Sequence, residues 1–206
     1  MRWAAWLAVL SATAQCGERW ELRYFYDADD SELNLADLAF ASARRGAGCG
    51  VLVERGRERP VVLHTADGGR NWGLRAAPEA CLSLFFLDEA NGWMTGRHGL
   101  YRSGDVGLSW RKLRAPGELL RVFFLDGRRG WAAGLRKAVY ATADGGESWE
   151  RVPEADQPKC NPEHTAYGWI SFADGKRGMI AGWSRPPRRD DRQPQAEWVD
   201  PDRAAR

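Results

Sequence analysis

The 206 residues carry 30 Lys and Arg against 28 Asp and Glu, a net charge of +2, with 44% hydrophobic content, 11 tryptophans and four cysteines. That balance excludes a bulk polyanion binder, so no nucleic-acid partner is expected. The hydrophobic share suffices for a core.

Residues 1–14 open with Arg2, an apolar run from Trp3 to Leu10 and a small-x-small exit at Ala12 and Ala14. This matches a secretory signal, and the run is too short for a stable membrane span. A single domain is expected over 15–206, exported to the periplasm or beyond. Gln15 and Thr13 make a poor context for a lipid anchor on Cys16. Residues 20–26, Trp-Glu-Leu-Arg-Tyr-Phe-Tyr, read as an outer strand without partners of its own, a candidate to close a ring.

The rest of the chain is a tandem repeat. The pattern Thr/Ser-x-Asp-x-Gly-x-x-Trp occurs as Thr65, Asp67, Gly69, Trp72, then Ser103, Asp105, Gly107, Trp110, then Thr142, Asp144, Gly146, Trp149, at steps of 38 and 39 residues. Such a period marks an array of small units that bury their apolar faces against neighbours. The octapeptide suits a hairpin turn: hydroxyl and carboxylate accept backbone N–H groups, and Gly supplies a positive φ. Trp is then expected to begin the next strand and place its ring between packed sheets. Three carboxylates on three separate turns do not converge, so a structural role is expected rather than a catalytic one.

A second pattern, Phe with Gly six and ten residues later, reads Phe40/Gly46/Gly50, Phe86/Gly92/Gly96, Phe124/Gly130/Gly134 and Phe172/Gly178/Gly182. It defines repeats at about 35–78, 82–116, 120–155 and 168–200. The first carries an extra charged segment, 54–60, expected as a protruding hairpin. The fourth keeps Trp198 but has lost the rest of the octapeptide. Short strands with Gly, Asp and Asn turns, four per repeat, predict an all-β propeller of about four four-stranded blades. An incomplete array is favoured over a small closed ring, and its exposed strand edge would favour pairing with a second copy.

Four cysteines in an exported chain permit disulfides. Cys49 falls in the second strand of the first unit and Cys81 just before the first strand of the next, so a bridge is open to them but not implied. Cys160 lies in an irregular loop, 157–164. His64, His98 and His164 take unrelated repeat positions and do not make a metal site; no cofactor is expected. The turn between the first and second strands carries Arg44 and Arg45, Arg128 and Arg129, and Lys176 and Arg177. Equivalent turns emerge on one face, so these pairs predict an arc of positive charge suited to an acidic protein partner or to anionic head groups. Arg97 and Arg136 are expected to extend it.

The segments 86–110 and 124–149, with Phe-Leu-Asp, Gly-Trp and the octapeptide in fixed order, resemble the photosystem II assembly and stability factor family. That family is an exported seven-bladed β-propeller that acts as a non-enzymatic scaffold, with an arginine-rich patch in its partner surface. The resemblance implies the same kind of role for the arginine turns here, on about half the blades. The octapeptide, known as the Asp-box, also occurs in sialidases and sortilin-type receptors. A sialidase-like glycoside hydrolase, or a fragment of one, is the alternative reading, but only Arg59-Pro60 approaches its arginine motif. A ten-blade receptor tunnel exceeds this length.

Overall fold

In the computed structural model, which describes residues 21–157 and 159–185, the chain is an array of antiparallel sheets laid side by side. Blade 1 holds β1 (Ser31–Phe40), β2 (Gly46–Glu54), β3 (Arg57–Thr65) and β4 (Gly73–Ala76). Blade 2 holds β5 (Cys81–Asp88), β6 (Asn91–Gly96), β7 (Leu100–Ser103) and β8 (Arg111–Leu113). Blade 3 holds β9 (Leu119–Phe124), β10 (Gly130–Gly134), β11 (Val139–Thr142) and β12 (Glu150–Arg151). Blade 4 shows β13 (Thr165–Phe172) and β14 (Gly178–Ser184), and Trp198 lies outside the described residues. Each sheet pairs its strands in chain order. The first strands are neighbours, β1 packing on β5, β5 on β9 and β9 on β13, which is the arrangement of propeller blades around an axis.

The Phe and Gly of the second pattern face each other across the first strand pair: Phe40 opposite Gly46, Phe86 opposite Gly92, Phe124 opposite Gly130 and Phe172 opposite Gly178. The ring lies over the glycine, and a Cβ on Gly130 would sit 2.5 Å from Phe124 Cδ1. A register shift recurs in this strand pair of each blade, falling at Ala36, Leu82 and Gly168 in the first strands of blades 1, 2 and 4. The four units are therefore superposable in register as well as in sequence.

The core lies between blades. Ala47, Cys49 and Val62 of blade 1 meet Cys81, Leu84 and Met94 of blade 2; Trp93, Leu100 and Leu113 of blade 2 meet Leu119, Val122 and Phe124 of blade 3. Burial between successive sheets is why a single unit of this length does not stand alone. Cys49 and Cys81 form a disulfide across the first junction, with Cα atoms 5.8 Å apart. Cys160 is free and exposed.

The charged hairpin expected at 54–60 is present: β2 and β3 extend through it to a two-residue turn at Arg55 and Gly56, both at positive φ, the geometry a right-twisted hairpin requires. Two expectations change. The 157–164 region is flanked and partly filled by short 3-10 turns, Pro153–Asp156 and Pro162–His164. Residues 21–26 join no strand, with Leu22 and Phe25 exposed, and Trp20 lies outside the described residues. An outer strand needs a third strand to pair with, and blade 4 presents only its first two among the described residues.

Candidate functional site

Each octapeptide closes on itself. The Gly146 N–H donates to Thr142 Oγ1 at 3.0 Å, the Thr142 hydroxyl donates to Asp144 Oδ1 at 2.8 Å, and the Ser148 N–H donates to the same oxygen at 3.0 Å. The same bonds recur for Thr65, Asp67, Gly69 and Asn71 and for Ser103, Asp105, Gly107 and Ser109. Gly69, Gly107 and Gly146 all have positive φ, at 83°, 79° and 94°. The tryptophans depart from expectation. Strands start one residue after them, and Trp72 and Trp149 fold back so that Nε1–H donates to the carbonyl of Gly69 or Gly146 at 3.0 Å. Their rings meet Phe40 and Phe124 edge-on, within their own blades. Trp110 differs, its Nε1 being buried without a hydrogen-bond partner, and its ring packs on the core between blades 1 and 2 as that of Trp149 packs on the core between blades 2 and 3.

The turn carboxylates are consequently strong acids. Backbone N–H and side-chain amide of Asn71 hold Asp67 at about 2, and the Ser148 hydroxyl and N–H hold Asp144 lower still. At Asp105, burial pulls upward but the Ser109 hydroxyl and N–H outweigh it. A depressed folded-state pKa gives stability that is complete above the unfolded value near 3.8 and is lost as pH falls toward the folded one. The melting temperature should therefore drop between pH 4 and pH 2, and Asp67→Asn with Asp144→Asn should flatten that drop. Tryptophan-detected melts across this range test it; an unchanged slope in the double variant rules it out.

The turns between first and second strands share the end of the sheets that bears the octapeptides. All four are built alike, with a side-chain oxygen accepting N–H groups two and three residues on. Asp126 Oδ1 accepts from Arg128 and Arg129 at 2.9 and 2.7 Å, and Asp174 Oδ1 from Lys176 and Arg177 at 2.8 and 2.9 Å. Ser42 Oγ accepts from Arg45 at 3.1 Å, and Asp88 takes this place in blade 2. The carbonyls of Arg44 and Arg128 accept from Gly68 and Gly145, tying each turn to the octapeptide of its own blade.

The six predicted cations divide into two sets. Arg45 pairs with Glu89 of the next blade at 3.2 Å, Arg129 with Asp126 at 2.7 Å and Arg177 with Asp174 at 2.8 Å. Backbone N–H groups of Arg129 and Arg128 hold Asp126 at about 2, so it stays ionised beside Arg129. Arg44, Arg128 and Lys176 are exposed and form no salt bridge among the described residues, although Arg44 acts at longer range on Glu89. Blade 2 lacks a basic pair, and there Asn91 Oδ1 accepts from Arg102 at 2.9 Å. Between blades 3 and 4 the turns converge: Arg129, Lys176 and Arg177 line an open groove of 540 Å³ with Asp174 and Gly175. Arg97 and Arg136 do not extend the arc. They follow β6 and β10 at the opposite end of the sheets, where Arg136 pairs with Glu118 and Glu163.

Sequence reasoning missed the carboxylates that neutralise half the arc, although the Asp-x-x-Arg spacing at Asp126/Arg129 and Asp174/Arg177 carries the signal. It also missed His64, whose Nε2 is buried between blades 1 and 2 without a hydrogen-bond partner. Burial and then Arg75 lower its pKa, favouring the neutral ring. Arg59 pairs with Glu54 in the exposed hairpin of blade 1. Among the described residues no cluster of His, Cys, Asp or Glu could hold a metal ion, and no helix is long and apolar enough to cross a membrane.

No protein-family model matches the chain, and no curated protein matches it. Solved structures do. YCF48 from Cyanidioschyzon merolae aligns with a TM-score of 0.55 and 22% identity over 73% of this chain and 48% of its own. The GH74 xyloglucanase from Xanthomonas campestris aligns at 0.54 and 16% identity, over 69% and 25%, and the GH74 enzyme from Niastella koreensis at 0.53 and 14%, over 67% and 24%. The chain thus shares the β-propeller fold and spans about half of the YCF48 chain and a quarter of the GH74 enzymes.

Proposed function

We propose that this chain is an exported, non-catalytic propeller module that docks an acidic protein surface on the rim formed by the turns between first and second strands. One observation carries the reading: among the described residues, equivalent turns of blades 1, 3 and 4 each leave one exposed cation, Arg44, Arg128 or Lys176, outside any salt bridge, on scaffolds fixed by hydrogen bonds to the backbone. Rigidly presented like charges raise the local potential and steer an oppositely charged partner. The resemblance to photosystem II assembly and stability factors, together with a fold shared with YCF48, supports a scaffold role. The hydrogen bonding of Asp67, Asp105 and Asp144 within their own turns supports a non-catalytic one. The leader-like residues 1–14 and the Cys49–Cys81 bridge suit an oxidising compartment.

Fluorescence anisotropy with a labelled deca-glutamate peptide at low salt tests the rim. Arg44→Ser, Arg128→Ser and Lys176→Ser combined should weaken binding at least tenfold, and the triple change at Arg45, Arg129 and Arg177 should do less, because those charges are already neutralised. Wild-type binding should also fade as salt shortens the Debye length. No saturable binding by the wild type, or equal binding by the first triple variant, rejects the reading.

A further inference from the structure

The array has two faces that every internal junction covers and its ends leave bare. At each junction the first strand of one blade packs on the second strand of the blade before it. Phe124 stacks on Trp93 with ring centroids 3.6 Å apart, and Phe172 stacks on Trp131 at 3.8 Å. Beside these, Leu84 and Cys81 pack into blade 1, and Val122 and Leu119 into blade 2.

The shared register identifies the same positions at the ends. In blade 1 the counterparts of Leu119, Val122 and Phe124 are Leu35, Leu38 and Phe40, which are 48%, 53% and 44% exposed where those residues are 4%, 5% and 1% exposed. In blade 4 the counterpart of Trp93 and Trp131 is Met179, one residue after the paired glycine, and it is 73% exposed while Trp93 is fully buried. β1 and β13 are not packed on one another as the other neighbouring first strands are. Three leading-face residues and one trailing-face residue are thus halves of a junction that is built but not made.

We propose that two copies of this chain join head to tail into a ring, β1 of each lying on the β13–β14 blade of the other, with Phe40 of one copy seated against Met179 of the other. The occupant these faces fit is a blade of this same repeat, because they continue the interface already present three times within the chain. A second copy supplies both complementary faces at once. A head-to-tail contact around a twofold axis closes after two copies and leaves neither face exposed. A Met against Phe also conserves the chemistry of the buried pairs, since thioether sulfur packs favourably on aromatic rings.

Size-exclusion chromatography with light scattering on the full chain is the test. The wild type should show twice the 23.1 kDa chain mass, and Leu38→Glu or Met179→Glu alone should each show the single mass with an unchanged near-ultraviolet dichroism spectrum. Mixing the two variants should restore the double mass, because the unaltered leading face of one meets the unaltered trailing face of the other. As an independent readout, a chain lacking Cys16 and Cys160 and carrying Phe40→Cys and Met179→Cys should oxidise to a covalent dimer on a non-reducing gel. A monomeric wild type, variants that stay dimeric, no recovery on mixing, or a cross-link formed within one chain would each overturn the proposal. The rim reading does not depend on the outcome, since its peptide assay scores Arg44, Arg128 and Lys176 in either state.

Discussion

Trp93→Ala should lower the unfolding free energy by about 3–5 kcal/mol, the usual cost of emptying a buried aromatic site. Trp93 is the largest fully buried side chain among the described residues and sits in β6 at the junction of blades 2 and 3. Its ring stacks on Phe124, its Nε1–H donates to the Gly145 carbonyl at 3.0 Å, and the Arg102 guanidinium lies 5.4 Å from the ring centre. Truncation removes the stack and leaves that carbonyl in the third octapeptide without its donor, so cavity and polar costs add. At roughly 2–4 °C per kcal/mol for a chain of this size, the melting temperature should fall by about 10 °C. Leu108→Ala, exposed on the second turn, is the control and should change stability by under about 0.5 kcal/mol. Urea titration gives both values, and a loss below about 1 kcal/mol for Trp93→Ala would show that the junction is not held as described.

Removing the Cys49–Cys81 bridge should cost about 3–4 kcal/mol, as expected for cross-linked residues separated by 32 positions. The bridge stands where later junctions use weaker devices. At the second junction Thr95, the counterpart of Cys49, donates to the Leu120 carbonyl at 2.9 Å, and at the third the counterpart is Ala133. Blade 1 also places Ala47, not a tryptophan, at the stacking position, so the covalent link offsets a thinner apolar contact. Adding reductant should move the urea midpoint of the wild type down and leave Cys49→Ala/Cys81→Ala unmoved. Cys160→Ser should behave as wild type, its thiol being free and exposed. A wild type indifferent to reductant would refute the stapling role.

The blades and turns were legible because their rules are local. Positive φ at the octapeptide glycine, hydroxyl and carboxylate acceptors two to four residues from their donors, and a ring laid over a facing glycine all act within one hairpin. One miss needed two blades at once. Arg45 finds Glu89 across 44 positions, and no sequence spacing announces that. At Trp72 and Trp149 the strand starts one residue later than expected, and the indole, with an N–H to satisfy as well as a ring to bury, turns back to the nearest carbonyl, that of its own octapeptide glycine. The predicted closing strand, 20–26, rested on a leading Trp and an apolar stretch, a pattern equally compatible with a segment outside any sheet. Arg44, Arg128 and Lys176 lie in equivalent turns at one end of the sheets, whereas the expected extension to Arg97 and Arg136 ignored that successive turns of an antiparallel sheet alternate between ends.

Because each octapeptide closes its hydrogen bonds within a few residues, its hairpin does not wait on distant chain to form. Closure of such short loops takes microseconds or less, whereas docking one sheet on the next brings together residues tens of positions apart. Refolding should therefore begin at several hairpins in parallel, with sheet docking as the slow step. Substitutions at Asp144 would then act mainly before the rate-limiting barrier, and substitutions at Trp93 mainly on it.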